Sequence, residues 1–489
     1  MKPGYNKILL MKLTTKLIVL LFSVILSLFF LSYFSNSIAK RDANTSEPLI
    51  LAMHEPNQIT KCTLNQWFNP AINDEEGVRL LKNCSHCHMA GYKEWINDKH
   101  SMSQSNPFFL SIYSGTDKEG NENIAPGFRL DHPKQNGNCI LCHNPEAALD
   151  NNFDIDLRNA ENTNGISCNF CHKIESIDKN HLKQGVRGLT ISRVCKGQKE
   201  IGFGPLNDLV ESTDIVEFKY NPIYKESLYC AKCHDGFQGN TQIYSTFTEW
   251  LNSPAKKQGI QCQSCHMPVR EHTAKKIHIV DNPDVKSKLR PYYQLHSHSF
   301  LTNNPHKFRK TFLDLKIKVK VKNNILKVTA KVINKNTGHS FPTGSPMRNA
   351  LLVLEVKDEN NNKLELIKGP QLPVYAGSLK GKPGRLFAKI LSETSNQYAQ
   401  THGEDGIRFR KTAGTLGIPA QQWWNIFILS DTRIKALKND ISIYEFFIEP
   451  HRKISVTAKL IWRNTWPGLA KVKEFIIKEE TLIEKTLLL

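Results

Sequence analysis

The chain has 489 residues, 40% of them hydrophobic and 23% charged, with a formal net charge of +19. This length and apolar content exclude a disordered chain and a disulfide-stapled mini-protein, and leave room for two domains. No Gly-rich phosphate loop or aromatic-interleaved basic strip accompanies the positive charge, so the sequence does not read as nucleic-acid binding.

The N-terminus reads as a targeting segment over residues 1–39. Lys2, Lys7, Lys12 and Lys16 precede an apolar run from Leu17 to Phe34, and Ser37-Ile38-Ala39 offers a small-x-small cleavage site. The run is long for a signal-peptide core and just enough for a membrane span, so a cleaved signal peptide and a retained membrane anchor over residues 17–34 are both open. In both cases the basic flank stays inside, and the rest of the chain is expected to be periplasmic or otherwise extracytoplasmic.

The next signal is Cys-x-x-Cys-His, which occurs five times: Cys84-Cys87-His88, Cys139-Cys142-His143, Cys168-Cys171-His172, Cys230-Cys233-His234 and Cys262-Cys265-His266. Two thiols at this spacing can add across the vinyl groups of a haem while the adjacent imidazole ligates its iron. Zinc also uses Cys-x-x-Cys but does not require the histidine. Histidine is 18 of 489 residues, so five chance placements have a probability on the order of 10⁻⁷. The motifs therefore predict five covalent c-type haems. Two cysteines are left over, Cys62 and Cys195. In an oxidising compartment they are expected to form a disulfide.

From Cys84 to His266 there are 183 residues, about 37 per motif. A domain enclosing its own core usually needs about 50 residues or more. The haems must then pack against one another, and residues 40–310 are expected to form a haem-packed domain of short helices and loops with few strands. The motif histidines are separated by 55, 29, 62 and 32 residues. Gly165-Ile166-Ser167-Cys168 matches Gly259-Ile260-Gln261-Cys262. Motifs two and three read as one pair and four and five as its duplicate.

From residue 311 the hydrophobic period becomes two. Leu313, Leu315, Ile317, Val319 and Val321 alternate with polar residues, Asn323-Asn324 makes a turn, and Leu326, Val328, Ala330 and Val332 alternate again, predicting a β-hairpin. "ALLVLEVKDENNNKLELI" (350–367) predicts a second hairpin. "WWNIFIL" (423–429), "YEFFI" (444–448), "KISVTAKLIW" (453–462) and "KVKEFIIKEE" (471–480) supply further strands. Residues 369–422 read as an insertion. The fold class is α+β with two domains, the second an Ig-like β-sandwich over 311–489. Residues 1–40 carry five lysines and no acid (+5), and residues 311–489 carry 29 basic and 16 acidic residues (+13), leaving +1 for residues 41–310. Such an asymmetry orients encounters with partners.

"CSHCHMAGYKEWINDKHS" (84–101) resembles the signature of multihaem cytochromes c related to the tetrahaem cytochrome of nitrifiers and to hydroxylamine oxidoreductase. "GISCNFCH", "GIQCQSCHMP" and "HSHSF" are similar to the same group, and "NTGHSFPTGSPMR" (336–348) looks like the start of a β-domain that some of its members carry. The resemblance implies histidine on both faces of the irons. His100, twelve residues after His88, matches the family's distal position and is expected to reach a neighbouring haem. His298 matches the ligand after the last motif. His132, in Asp-His-Pro, is a further candidate, followed by His181, His272, His278 and His339. His86, between two linking cysteines, is expected to point away from its own iron. Relatives often place a ligand histidine after a Gly-Pro step ahead of the fourth motif. None follows Gly204-Pro205 here, so one iron either lacks a sixth protein ligand or takes His339 from the sandwich.

The expected function is electron transfer through five haems that pack closely on one another, with redox proteins or quinol-linked donors as partners. No catalytic residue is assigned. The alternatives are an oxidoreductase acting on a small nitrogen or sulfur compound such as hydroxylamine or nitrite, and a structural role in which the sandwich anchors the protein to a partner, a filament or the cell envelope.

Overall fold

The computed structural model describes residues 84–149, 165–208, 216–393 and 416–489, apart from a few short stretches within them. The targeting segment, Cys62, His86, His181 and Cys195 lie outside the described residues. Among the described residues no helix is long and apolar enough to cross a membrane.

The N-terminal half is built of short helices. Met89–Ile96 and Pro107–Ser114 are the longest, at eight residues each, and the helices at the second and third motifs, Ile140–His143 and Cys168–Cys171, have four. Strands are more frequent than expected. Four two-stranded ribbons occur among the described residues: Ile174–Ile177 with Leu189–Ile191, Glu200–Gly204 with Val216–Tyr220, Asp235–Gln238 with Thr241–Ser245, and Lys276–His278 with Leu289–Pro291. Each is five residues or fewer per strand. They brace the segments between motifs and satisfy backbone groups that no helix accommodates. A small apolar cluster of Ile140, Leu141, Ala148, Phe170, Ile174 and Val186 lies between the second and third motifs.

Among the described residues the C-terminal half contains ten strands: β1 (Leu313–Lys322), β2 (Ile325–Asn334), β3 (Asn349–Asp358), β4 (Leu366–Lys368), β5 (Gly384–Phe387), β6 (Lys389–Glu393), β7 (Ile426–Asp431), β8 (Asn439–Phe447), β9 (Ile454–Arg463) and β10 (Glu479–Leu488). They form two four-stranded antiparallel sheets, ordered β4-β8-β2-β1 and β5-β3-β9-β10, and the ribbon β6-β7. The first hairpin forms as its alternation predicts. Asn323 and Asn324 both take positive φ (50° and 60°), the geometry of a two-residue turn matched to strand twist. Between the sheets, Leu315, Leu326, Val328, Leu354, Val456, Leu460, Tyr444 and Phe446 are at most 1% exposed and form one continuous core.

Three expectations are corrected. The second hairpin turns at Asp358–Asn362, but after one bridge between Lys357 and Lys363 its return arm crosses to the other sheet, where β4 pairs with β8. Residues 471–478 are not a strand. Pro467–Val472 is a helix with proline at its first position, and the last strand begins at Glu479. The stretch read as an insertion contributes a short helix, Val374–Leu379, and strands β5 and β6.

The two halves share a core. Ile112, Tyr113, Phe128 and Ile243 from the first pack with Leu351, Leu372, Trp423, Trp424 and Trp466 from the second. Asp131 Oδ2 accepts both indole N–H groups of Trp423 and Trp424, each at 2.6 Å. The fully buried Lys473 donates to the carbonyls of Ser111 (3.3 Å), Thr116 (2.9 Å) and Ile124. Lys389 donates to Gln242 O, Ile243 O and Ser245 Oγ at 2.9–3.2 Å. The change in sequence period near residue 311 therefore does not mark a loose linker.

Candidate metal centres

Each Cys-x-x-Cys-His sits on a single helical turn. The histidine amide donates to the first cysteine's carbonyl in His88→Cys84 (2.7 Å), His143→Cys139 (3.0 Å) and His172→Cys168 (2.9 Å). Helices Leu228–His234 and Cys262–His266 hold the other two. A turn of this kind puts residues i, i+3 and i+4 on one side, so both thiols and the imidazole address the same space. Ser167 Oγ caps the Cys168–Cys171 helix by accepting from Phe170 N at 3.0 Å. The hydroxyls of Tyr224 and Tyr229 converge on the Cys171 carbonyl at 2.7 and 2.8 Å.

The Nδ1 atoms are fixed from behind. Oxygen atoms lie 2.8 Å from His100 Nδ1 (Asp98 Oδ1), 2.7 Å from His143 Nδ1 (Ser103 O), 2.8 Å from His172 Nδ1 (Phe203 O) and 3.0 Å from His339 Nδ1 (Ser340 O). An Nδ1–H donated to an oxygen leaves Nε2 with a free lone pair, the ligating tautomer. Burial, the largest cause in each case, pushes the pKa of His234 and His298 down to about 3 and that of His266 to about 4. The rings are therefore neutral at physiological pH, as a metal ligand must be.

Three motif histidines face a second histidine. The ring centroids of His100 and His234 are 6.2 Å apart with planes at 71°. Those of His172 and His298 are 6.3 Å apart at 37°, and those of His266 and His339 are 6.1 Å apart at 37°. Two imidazoles binding one metal from opposite sides, at about 2.0–2.1 Å per bond, put their centroids roughly 6.3 Å apart. All three pairs match that figure, so this donor set fits an iron held between two histidines.

His100 thus faces His234 rather than the adjacent His88. His339 reaches His266 from the loop between β2 and β3. His132 packs against the ring of Phe128 at 5.1 Å. His143 lies flat against Phe109, 3.8 Å between centroids at 1°. His296 Nδ1 is 2.6 Å from Met267 O, so the first histidine of "HSHSF" braces the fifth motif while the second faces His172. His272 and His278 are exposed. The motifs also touch: Cys142 is within hydrogen-bonding reach of Cys233, and Cys230 of Cys262.

Residues 83–173, spanning the first three motifs, match the family model described as cytochrome c554 and c-prime. Among solved structures, a penta-heme cytochrome c552 from Thermochromatium tepidum superposes with a TM-score of 0.58 at 18% identity, over 84% of this chain and 98% of that one. The chain has the fold of a multihaem cytochrome c. No curated protein is similar enough in sequence to match. The family match and the shared fold together support a haem-binding, electron-transfer cytochrome c.

Sequence reasoning passed over several groups that shape these centres: Phe109, the Ser103 and Phe203 carbonyls, and the carboxylates Glu94 and Glu249. The carbonyls carry no side-chain signal. The two glutamates do, since each opens a Glu-Trp-x-Asn segment, at 94–97 and 249–252.

Proposed function

We propose that this protein is a pentahaem c-type cytochrome that carries electrons outside the cytoplasmic membrane. The observation that carries the reading is the set of three histidine pairs at 6.1–6.3 Å, each joining a Cys-x-x-Cys-His unit to a histidine from a distant segment. Cys84, Cys87, Cys139, Cys142, Cys168, Cys171, Cys230, Cys233, Cys262 and Cys265 attach the haems. His88, His143, His172, His234 and His266 bind on one face, and His100, His298 and His339 close the other face at His234, His172 and His266. Bound haem supplies one-electron chemistry. The chain's own contribution is to fix the tautomer of His100, His143, His172 and His339 through Nδ1, to exclude small molecules from paired irons, and to hold neighbouring motifs in contact. The small apolar cluster beside the motifs supports a domain whose core is partly haem. The basic apolar N-terminus supports export, followed by cleavage or anchoring. The spacing of Tyr92, Trp95 and His100 supports kinship with the tetrahaem cytochrome of nitrifiers and with hydroxylamine oxidoreductase. Redox proteins or quinol-linked donors are the partners.

A second reading is localised at His143, where Phe109 is the ring in contact among the described residues. Tyr244 lies beside Cys139 and Cys142, with its hydroxyl on Gln422. Were that iron open, a small nitrogen or sulfur compound could bind there. His181 is the candidate that closes it. Carbon monoxide added to the reduced protein separates the two readings. A carrier with closed irons binds little, and turns over nitrite and hydroxylamine slowly or not at all. One tight carbon-monoxide site with enzyme-like turnover of either compound makes the protein an oxidoreductase instead.

A further inference from the structure

We propose that Glu94 and Glu249 are a duplicated pair of positioning residues, each clamping the loop that presents a second-face histidine; the proposal rests on the two-histidine reading above. Three short segments recur. Glu94-Trp95-Ile96-Asn97 matches Glu249-Trp250-Leu251-Asn252, Gly165-Ile166 before Cys168 matches Gly259-Ile260 before Cys262, and His298-Ser299-Phe300 matches His339-Ser340-Phe341. The structure assembles each set around one motif. Trp95 Nε1 donates to Ile166 O at 2.8 Å, and Trp250 Nε1 to Ile260 O at 2.8 Å. Glu94 Oε2 accepts from the backbone N–H of His298 at 2.7 Å, and Glu249 Oε2 from that of Ser340 at 3.0 Å. Each carboxylate is then held by an arginine from elsewhere in the chain. Arg270 Nη2 lies 3.0 Å from Glu94 Oε2, and Arg433 Nη1 lies 2.6 Å from Glu249 Oε1.

The result is the same ring geometry in both sets, 6.3 and 6.1 Å, each with planes at 37°. In the third pair the carboxylate is local: Asp98 Oδ1, two residues away, also accepts from the His100 backbone N–H at 2.8 Å. His100 is held through Asp98, and its planes cross at 71°. A loop N–H away from water needs an acceptor, and a charged one binds it more strongly than a neutral one. Glu249 takes four donors, since Ser245 Oγ (2.6 Å) and Thr343 Oγ1 (2.7 Å) join Ser340 N and Arg433. A glutamine there would turn an NH2 group toward two of them. The Glu249 clamp is also the drier, with side chains 11% and 7% exposed against 19% and 18% for Glu94 and Arg270.

The test uses the haem-loaded full chain carrying Glu249→Gln, Glu94→Gln and, as reference, His339→Ala and His298→Ala. The readouts are the number of high-spin haems by electron paramagnetic resonance and the carbon monoxide bound per reduced protein. We expect Glu249→Gln to create one partly high-spin, carbon-monoxide-binding haem, the same one that His339→Ala exposes fully, with no further change in the double variant. Glu94→Gln does the same at the haem of His298 and leaves the other four unchanged. If His339→Ala and His298→Ala leave every haem low-spin, the two-histidine reading itself fails. If they create high-spin haem while both glutamine variants do not, the clamp alone is refuted. Should Glu249→Gln fail to fold, Thr343→Val removes one bond and no charge. A small high-spin fraction at the same haem supports the clamp, and an unchanged spectrum counts against it.

A second inference comes from a different face. Residues of β1 and β2 that point away from the sandwich core include Lys316, Lys318, Lys320, Lys322, Lys327 and Lys331, and among the described residues none of these pairs with a carboxylate. Beside them on β8, Ile441 and Phe447 are 55% and 54% exposed, and Glu445 is the acid on that stretch. A flat basic face interleaved with exposed aliphatic and aromatic side chains fits an anionic lipid surface, where cations meet headgroups and apolar tips enter the interface. The occupant we assign is therefore an anionic bilayer, consistent with an apolar segment at residues 17–34 on the same chain. The full chain should co-sediment with phosphatidylglycerol vesicles at least tenfold better than with phosphatidylcholine vesicles, and high salt should abolish the difference. Lys316→Glu/Lys318→Glu/Lys320→Glu should remove most of the preference while leaving any salt-independent binding through residues 17–34. Equal binding of wild type to both vesicles, or an undiminished preference in the variant, overturns the assignment.

Discussion

Lys473 offers the most direct test of how the two halves are joined. Its ammonium is fully buried between helix Pro467–Val472 and the segment after helix Pro107–Ser114, with three carbonyl acceptors. Burial, partly offset by Asp117 and Asp131, pulls its pKa from 10.5 down to about 7. The folded state therefore releases this proton near pH 7, while the unfolded state keeps it up to about 10.5. Between those values the unfolded chain binds one proton more, so stability must rise with pH, by about 1.4 kcal/mol per pH unit. Below pH 7 both states are charged and the cost of burial is fully present. Replacing the lysine by methionine removes the titration. Denaturant unfolding of the loaded protein at pH 7, 8 and 9 should show wild type gaining about 2–3 kcal/mol relative to Lys473→Met across that range. Parallel stability curves for the two proteins would show that Lys473 is not held as described.

The remaining predictions are of other kinds. His100→Ala should convert one haem, the one attached at Cys230 and Cys233, to high spin and shift one component of a potentiometric titration; an unchanged low-spin spectrum removes His100 from the ligand set. Leu326→Ala, at a fully buried site between the sheets, should cost about 2–5 kcal/mol in denaturant unfolding. A cost below about 1 kcal/mol would contradict the packing. Thiol labelling of the denatured, unreduced protein should find neither Cys62 nor Cys195, and labelling of both refutes their disulfide.

The covalent chemistry was legible because it is local: thiol, thiol and imidazole fall within one helical turn and need nothing else. The resemblance singled out His100 and His298 as candidates, the Gly-His-Ser-Phe-Pro context singled out His339, and in the structure each lies opposite a motif histidine. Which motif each one faces was not legible, since that depends on contacts such as Glu94 to His298, 204 residues apart. The repeat that equates motif three with motif five was seen in Gly-Ile-x-Cys alone. Its larger part, Glu-Trp-x-Asn and His-Ser-Phe, is dispersed over three segments and becomes one object only when folded. In the β-region, alternation located β1, β2, β3, β8 and β9. It failed at 364–368, where a short strand leaves its hairpin for the other sheet, and at 471–478, where a helix begun at Pro467 runs into the segment read as strand. Trp423 and Trp424 were read as strand but precede it, because their indoles are drawn to Asp131.

The central claim is that all five Cys-x-x-Cys-His units carry haem. The mass of the intact, denatured protein after acid-acetone extraction tests it directly. The account predicts the polypeptide plus five haem additions. A mass corresponding to four or fewer, or haem recovered in the extract, would contradict it.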